Sequence, residues 1–317
     1  MKILITGGTG FLGVNLVKRL EDSGHEPVAL VRDSSPTKFL PKNVETIYGD
    51  ITDRSSLNAA LSDGDFDGVA HLAMVAGRST TTSIKGDLNW KTAERVNVDG
   101  SQNVFDAAQQ AGVDNVVFTS TIKAHPDVPN NDDANYIRSK EVAETRLLEG
   151  EYTFEHTVVY PTNLLGPNDY RARNYTPFQI VHSNPIIVPP MYLPQTVNYV
   201  HVDNVTSTIE HGLTTSESER YIVSGSNISN RQYHKRIAKV ADTRCYVPHI
   251  PFSRTLIPWL MNRLHSVGLI PIGGDTLEWE SKGGIQNRFQ NRYPFESKSL
   301  FDAIKHSHEW YEDVELL

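Results

Sequence analysis

Lys2–Gly13 reads K-I-L-I-T-G-G-T-G-F-L-G. Lys2–Thr6 is a short apolar run of strand character, and Phe11–Ser23 carries apolar residues at helical spacing. Between them Gly7, Gly10 and Gly13 follow the spacing G-x-x-G-x-x-G. Gly7 allows a tight turn, Gly10 lets the backbone approach a pyrophosphate with no Cβ in the way, and Gly13 lets the helix pack closely on its strand. The helix start then presents free N–H groups and a partial positive charge. Because the glycines lie between a strand and an amphipathic helix, the turn is expected to hold a dinucleotide, with Gly7, Thr9, Gly10, Phe11, Leu12 and Gly13 as the contacts.

Outward from this turn, strand and helix patterns alternate. Pro27–Val31, Val44–Tyr48, Gly68–Leu72 and Asn115–Thr119 read as strands, and the texture changes after Phe154–Tyr160. Ser55–Leu61, Trp90–Ala111 and Ala134–Glu149 read as helices. The alternation predicts an α/β chain, a doubly wound parallel sheet of Rossmann type covered on both faces. Prolines then cluster at 185, 189, 190 and 194 and again at 248, 251 and 258, which breaks long elements. The expected division is 1–165 for the cofactor-binding part, with returns of the chain near 195–225, and 166–317 for a smaller, irregular substrate-binding portion. Phe252–Ile272 is read as a helix packed on the body or over the site, with a membrane-surface contact as the alternative, and Leu300–Tyr311 as an amphipathic surface helix.

The 317 residues supply ample material for a core, and 38% are hydrophobic. A net charge of -8 speaks against a nucleic-acid binder, which needs Lys and Arg to neutralise phosphates. The single cysteine, Cys245, forms no internal disulfide, and no apolar run has the length of a membrane span. A cytoplasmic protein with a small-molecule substrate, no nucleic-acid partner and no membrane span is therefore expected. The twelve histidines are scattered, and His306-Ser307-His308 shows no third ligand along the chain, so no metal is expected. Trp259 and Trp279 read as core or lid residues.

At the end of the second strand an acidic residue would bind the ribose 2′-hydroxyl of NAD. Here Arg32 holds that place, followed by Asp33. A guanidinium suits a 2′-phosphate, so NADP(H) is the expected cofactor, with NAD(H) as the alternative. Tyr136-Ile137-Arg138-Ser139-Lys140 sets a phenol and an ammonium one helical turn apart, where the positive charge favours phenolate and so proton transfer. Thr119-Ser120-Thr121 ends the preceding strand, and its hydroxyls are placed to hold a carbonyl oxygen.

The glycine turn, the hydroxyl cluster and the Tyr/Lys pair resemble, in order and spacing, the extended short-chain dehydrogenases/reductases, the NAD-dependent epimerase/dehydratase family. The T-G-G-T-G-F-L-G form of the turn, Gly49–Asp53, His71-Leu72-Ala73, Val96–Gly100, Tyr160–Asn163 and His201–Val205 add to the likeness. The resemblance implies Tyr136 as acid/base, Lys140 as holder of the nicotinamide ribose, and Thr121 as the hydroxyl that orients substrate oxygen, with Ser120 as a stand-in. It implies further cofactor contacts at Asp50, Ile51, Leu72, Ala73, Asn97, Pro161 and Asn163, and a homodimer through the helices at Trp90–Ala111 and Ala134–Glu149.

Within the family, sugar-nucleotide enzymes often carry Arg before the segment matching Tyr199–Asp203. Here Gln195–Asn198 contains none, although Arg171, Arg173 and Arg231 remain as cations for a diphosphate. The V-R-D, F-T-S-T and H-V-D-N-V stretches resemble the dihydroflavonol-reductase-like and hydroxysteroid-dehydrogenase-like branches. The expected activity is NADP(H)-dependent interconversion of a ketone or aldehyde with an alcohol on a fairly apolar substrate. The alternatives are an NAD-dependent nucleotide-sugar epimerase/dehydratase and a non-catalytic NADP(H) sensor.

Overall fold

The computed structural model describes residues 1–62, 64–76, 88–128, 134–170, 174–183, 196–244 and 297–317, with 246, 259 and 263. Arg171, Arg173, Cys245, Trp279, the two proline clusters and, apart from residues 259 and 263, the segment 252–272 lie outside the described residues.

The strands are β1 (Lys2–Thr6), β2 (Glu26–Val31), β3 (Glu45–Tyr48), β4 (Gly68–His71), β5 (Asn115–Thr119), β6 (Glu155–Pro161), β7 (Asn163–Leu165), β8 (Thr196–His201), β9 (Glu219–Val223) and β10 (Ser226–Ser229). Seven of them form one parallel sheet in the order β3-β2-β1-β4-β5-β6-β9. Successive residues point to opposite faces, and both faces are apolar. Leu4, Val69, Val116, Phe118 and Val158 join one core with helices α2 (Arg54–Ser62), α4 (Gly100–Ala111) and α5 (Asn135–Glu149). Ile3, Ile5, Ala70, Val117 and Val159 join the other, with α1 (Phe11–Asp22) and α7 (Val202–Thr214). This is the doubly wound α/β sheet expected from the alternation.

The helix expected over Trp90–Ala111 is not uniform. A short α3 (Trp90–Ala93) widens into a π-helical stretch, Glu94–Asp99, before α4 begins. The wide turn carries Asn97, whose side chain bonds to groups outside the helix.

A smaller unit sits beyond the main sheet. β8 pairs in parallel with β7 and antiparallel with β10. Helices α6 (Tyr175–Ser183), α8 (Asn230–Val240) and α9 (Leu300–Asp313) close a third core with Leu165, Phe178, Tyr233, Ile237 and Tyr311. Ser229 and Ser299 start α8 and α9 with capping boxes completed by Gln232 and Asp302. Helix α9 is amphipathic as expected: Leu300, Ala303, Ile304, Ser307, His308 and Tyr311 are buried on the face that meets α6, α8 and β8, while Phe301, Lys305, Glu309 and Glu312 are exposed. Trp259, expected in the core or a lid, is 63% exposed. Among the described residues no helix is long and apolar enough to cross a membrane.

Candidate active site

β1 lies between β2 and β4, so the chain reverses its direction of sheet building there. A crevice opens outside the carboxyl ends of strands at such a point. Gly7 has φ +75°, and a Cβ there would stand 2.8 Å from the Ala73 nitrogen, so only glycine lets the turn touch the segment after β4. A Cβ on Gly13 would overlap the Gly7 carbonyl oxygen and crowd Gly8 Cα at 2.6 Å. Helix α1 starts at Gly10 with no side-chain cap and no acidic residue in its first turn. Its N–H groups and partial positive charge thus face the crevice without a competing carboxylate, which fits a pyrophosphate.

The segment after β4 is the hub of the site. Thr6 Oγ1 accepts from the Ala73 N–H at 3.2 Å. Asn97 holds Val75 twice, accepting from its N–H and donating to its carbonyl, both at 2.8 Å, and donates to Ser139 Oγ at 2.9 Å. The Tyr136 hydroxyl donates to Met74 Sδ at 3.1 Å. Residues from β1, the π-helical turn and α5 therefore converge on Ala73–Val75.

Beneath the hub lies His71, 1% exposed. The one hydroxyl proton of Ser101 goes to the Asn97 carbonyl at 2.5 Å, so Ser101 Oγ accepts from His71 Nε2–H at 2.9 Å. His71 Nδ1 is then the acceptor for the Thr6 hydroxyl at 2.6 Å. Burial, reinforced by the Lys140 charge, pushes His71 down to about 3, so the ring is neutral at neutral pH.

Lys140 is 1% exposed and donates to the Thr119 carbonyl at 2.7 Å, with its ammonium 4.5 Å from the Phe118 ring centre. Burial pushes it down to about 7, and the Glu144 charge opposes that fall. Glu144 stands one turn further along α5. It accepts from Ser120 Oγ at 3.3 Å and from the Tyr160 hydroxyl, and its burial holds the carboxyl above the usual range. The Ser120 hydroxyl is thus bonded to Glu144. Thr121 is half-buried before the short turn Ile122–Ala124, and its side chain makes no capping bond.

The remaining expected contacts are spread around this centre. Arg32 is exposed in the turn after β2, where its N–H donates to Ser35 Oγ at 2.9 Å. One carboxylate oxygen of Asp50 accepts from both the N–H and the hydroxyl of Thr52, each at 2.9 Å. Ile51 is buried in the core, and its carbonyl accepts from Asn103 at 3.0 Å. Leu72 is buried and bonded through its N–H to Thr6 O at 3.1 Å. Pro161 ends β6, and Asn163 begins β7 with its amide on the Asn198 carbonyl at 3.1 Å. Arg231 is exposed in the first turn of α8. Sequence reasoning missed Met74, Ser101, Ser139 and Glu144. Only Glu144 carried a local signal, as the third member of a Tyr136, Lys140, Glu144 ridge at four-residue spacing.

The sequence profile described as "NAD dependent epimerase/dehydratase family" matches residues 3–223. The chain belongs to this family, the extended short-chain dehydrogenases/reductases. Among similar proteins, a short-chain dehydrogenase/reductase family 42E member 1 of Macaca fascicularis is 29% identical over 232 residues, covering 64% of this chain and 56% of the relative. A 3-beta-hydroxysteroid dehydrogenase of Mycolicibacterium neoaurum is 32% identical over 184 residues, covering 53% and 49%. The chain thus spans about half the length of the curated relatives it matches. A UDP-glucose 4-epimerase of Thermus thermophilus, solved in complex with NAD, superposes with a TM-score of 0.69 at 19% identity, covering 98% of this chain and 99% of that one. That likeness shows the fold.

Proposed function

We propose that this chain is an NADP(H)-dependent oxidoreductase that interconverts a ketone or aldehyde with the corresponding alcohol on an apolar, ring-containing substrate. One observation carries the reading: Tyr136 and Lys140 stand one turn apart on α5, the phenol at Met74 and the ammonium on Thr119 O, beside a glycine turn suited to a dinucleotide. Similarity to a 3-beta-hydroxysteroid dehydrogenase supports the substrate class. Arg32 after β2 supports the 2′-phosphate preference.

In this reading the turn from Gly7 to Gly13, including Thr9, Phe11 and Leu12, binds the pyrophosphate. Asp50 and Ile51 flank the adenine, and Leu72, Ala73, Pro161 and Asn163 border the nicotinamide end. Asn97 acts by holding Ala73–Val75 in place, since its amide is already bonded. These residues would hold a nicotinamide cofactor, whose chemistry would be to supply or take up a hydride. Tyr136 gives its proton to the carbonyl oxygen on reduction and removes it on oxidation. Lys140 holds the ribose and favours the phenolate, and Thr121 orients the substrate oxygen. A homodimer through α4 and α5 belongs to the same reading and is checked by light scattering.

Equilibrium titration of nucleotide-free protein with NADPH and NADH tests the cofactor. Tighter NADPH binding is expected, with the preference lost in Arg32→Ala. Tight NAD(H) that co-purifies would instead move the reading to a nucleotide-sugar epimerase. A screen of hydroxysteroids and ketosteroids follows, in which Tyr136→Phe is expected to lower kcat by about 10²–10⁴-fold while leaving cofactor binding in place.

A further inference from the structure

Helix α9 carries His308 and Glu312 one turn apart, and the last turn of α6 carries His182. The fold brings these two helices together through Phe178, Val181, Ile304 and Tyr311. His182 Nε2 and His308 Nε2 lie 2.8 Å apart, and His308 Nδ1 lies 3.3 Å from Glu312 Oε2. A ligand atom from each of the three falls within 4.8 Å of the others. His308 is 4% exposed, with its ring against Phe178, whereas His182 and Glu312 are at the surface. The cluster has one anchored imidazole and two side chains free to adjust around it.

We propose that His182 and His308 bind a divalent transition-metal ion of the zinc class, with Glu312 as the group that orients His308. The Glu312 carboxylate takes the His308 Nδ1–H, which leaves the Nε2 lone pair directed at His182. A carboxylate on the far nitrogen of an imidazole ligand fixes its tautomer and raises its basicity toward a metal. In the metal-free protein the His182 Nε2–H fills the gap by donating to His308 Nε2. On metal binding that proton moves to His182 Nδ1 through water, the ring stays neutral, and both Nε2 lone pairs point at the ion. Tetrahedral metal–nitrogen bonds call for nitrogens roughly 3.3 Å apart, so the rings part by about half an ångström and each tilts to turn its lone pair off the Nε2–Nε2 line toward the ion. Water completes the coordination. Imidazole donors select zinc, cobalt, nickel or copper over calcium and magnesium, which prefer oxygen. The ion would tie α9 to α6 in the smaller unit, apart from the hydride-transfer centre.

The test is titration of the whole chain with Zn²⁺, read by calorimetry and by the thermal midpoint, and with Co²⁺, read by its visible d–d absorption. Wild type is expected to bind one ion whose saturation raises the midpoint. His182→Asn is expected to abolish that binding, the Co²⁺ bands and the metal-dependent rise of the midpoint. Glu312→Gln is expected to weaken binding about tenfold. No ion bound by wild type, or an unchanged affinity in either variant, overturns the proposal.

Discussion

Lys140 concentrates the chemistry of the site in one side chain. Its ammonium is out of water and meets one carbonyl and one aromatic ring, which is a poor exchange for hydration. The folded chain therefore sheds this proton near pH 7, while the unfolded chain keeps it until about 10.5. Between those limits the unfolded state binds more protons, so this group adds stability as pH rises and is a burden at and below neutrality. Lys140→Met removes the burden. Its stability relative to wild type is expected to be most favourable at pH 7 and to diminish toward pH 10, as read by urea unfolding at several pH values. Nucleotide binding by the variant is expected to be weaker than that of wild type at pH 7, where part of the wild-type Lys140 is still charged.

Among the elements, the stretch from Trp90 to Ala111 shows how a helix is bent to a site. Its apolar spacing was readable, and the helix is there. The π-helical turn was not readable, because it depends on Val75 and Ser139, which the fold brings against Asn97. Asn97→Ala would leave the N–H and carbonyl of the partly buried Val75 without this partner. A loss of about 2–3 kcal/mol is expected, from two backbone groups left unsatisfied. Hydrogen exchange should show the Val75 amide losing protection before the strands do. An Asn97→Ala protein of wild-type stability would mean that the hub is held by other contacts. Helix α5 differs in that its Tyr136/Lys140 pair was legible, because four-residue spacing alone puts the two on one ridge, whereas Glu144 continues that ridge and was missed.

Across the whole molecule, His71 links β1 through Thr6 and α4 through Ser101, at the middle of the sheet. The folded chain holds it neutral down to about pH 3, whereas an unfolded histidine takes up a proton near 6.5. Below 6.5 the unfolded state binds more protons, so stability falls as pH drops from 6.5 toward 3. The interval corresponds to about 5 kcal/mol. His71→Gln is expected to start less stable at pH 7 and to lose less on acidification. Chemical denaturation between pH 7 and 4 reads the difference in slope, and parallel curves for the two proteins would rule out His71 as an acid-labile joint.

The order of residues along the chain was enough for the parallel sheet, the phosphate-suited turn and the Tyr136/Lys140 pair. Each of these is set by neighbours within a few positions: strand and helix periods, the steric need for Gly7 and Gly13, and the four-residue repeat of a helix. What required the tertiary structure were the contacts between distant segments. Ser120 faces Glu144 and Tyr160, α9 is a core helix of the smaller unit, and His182 meets His308 across 126 residues of chain. Such contacts depend on how one packed surface meets another, and that is a property of the assembled cores, not of any local pattern.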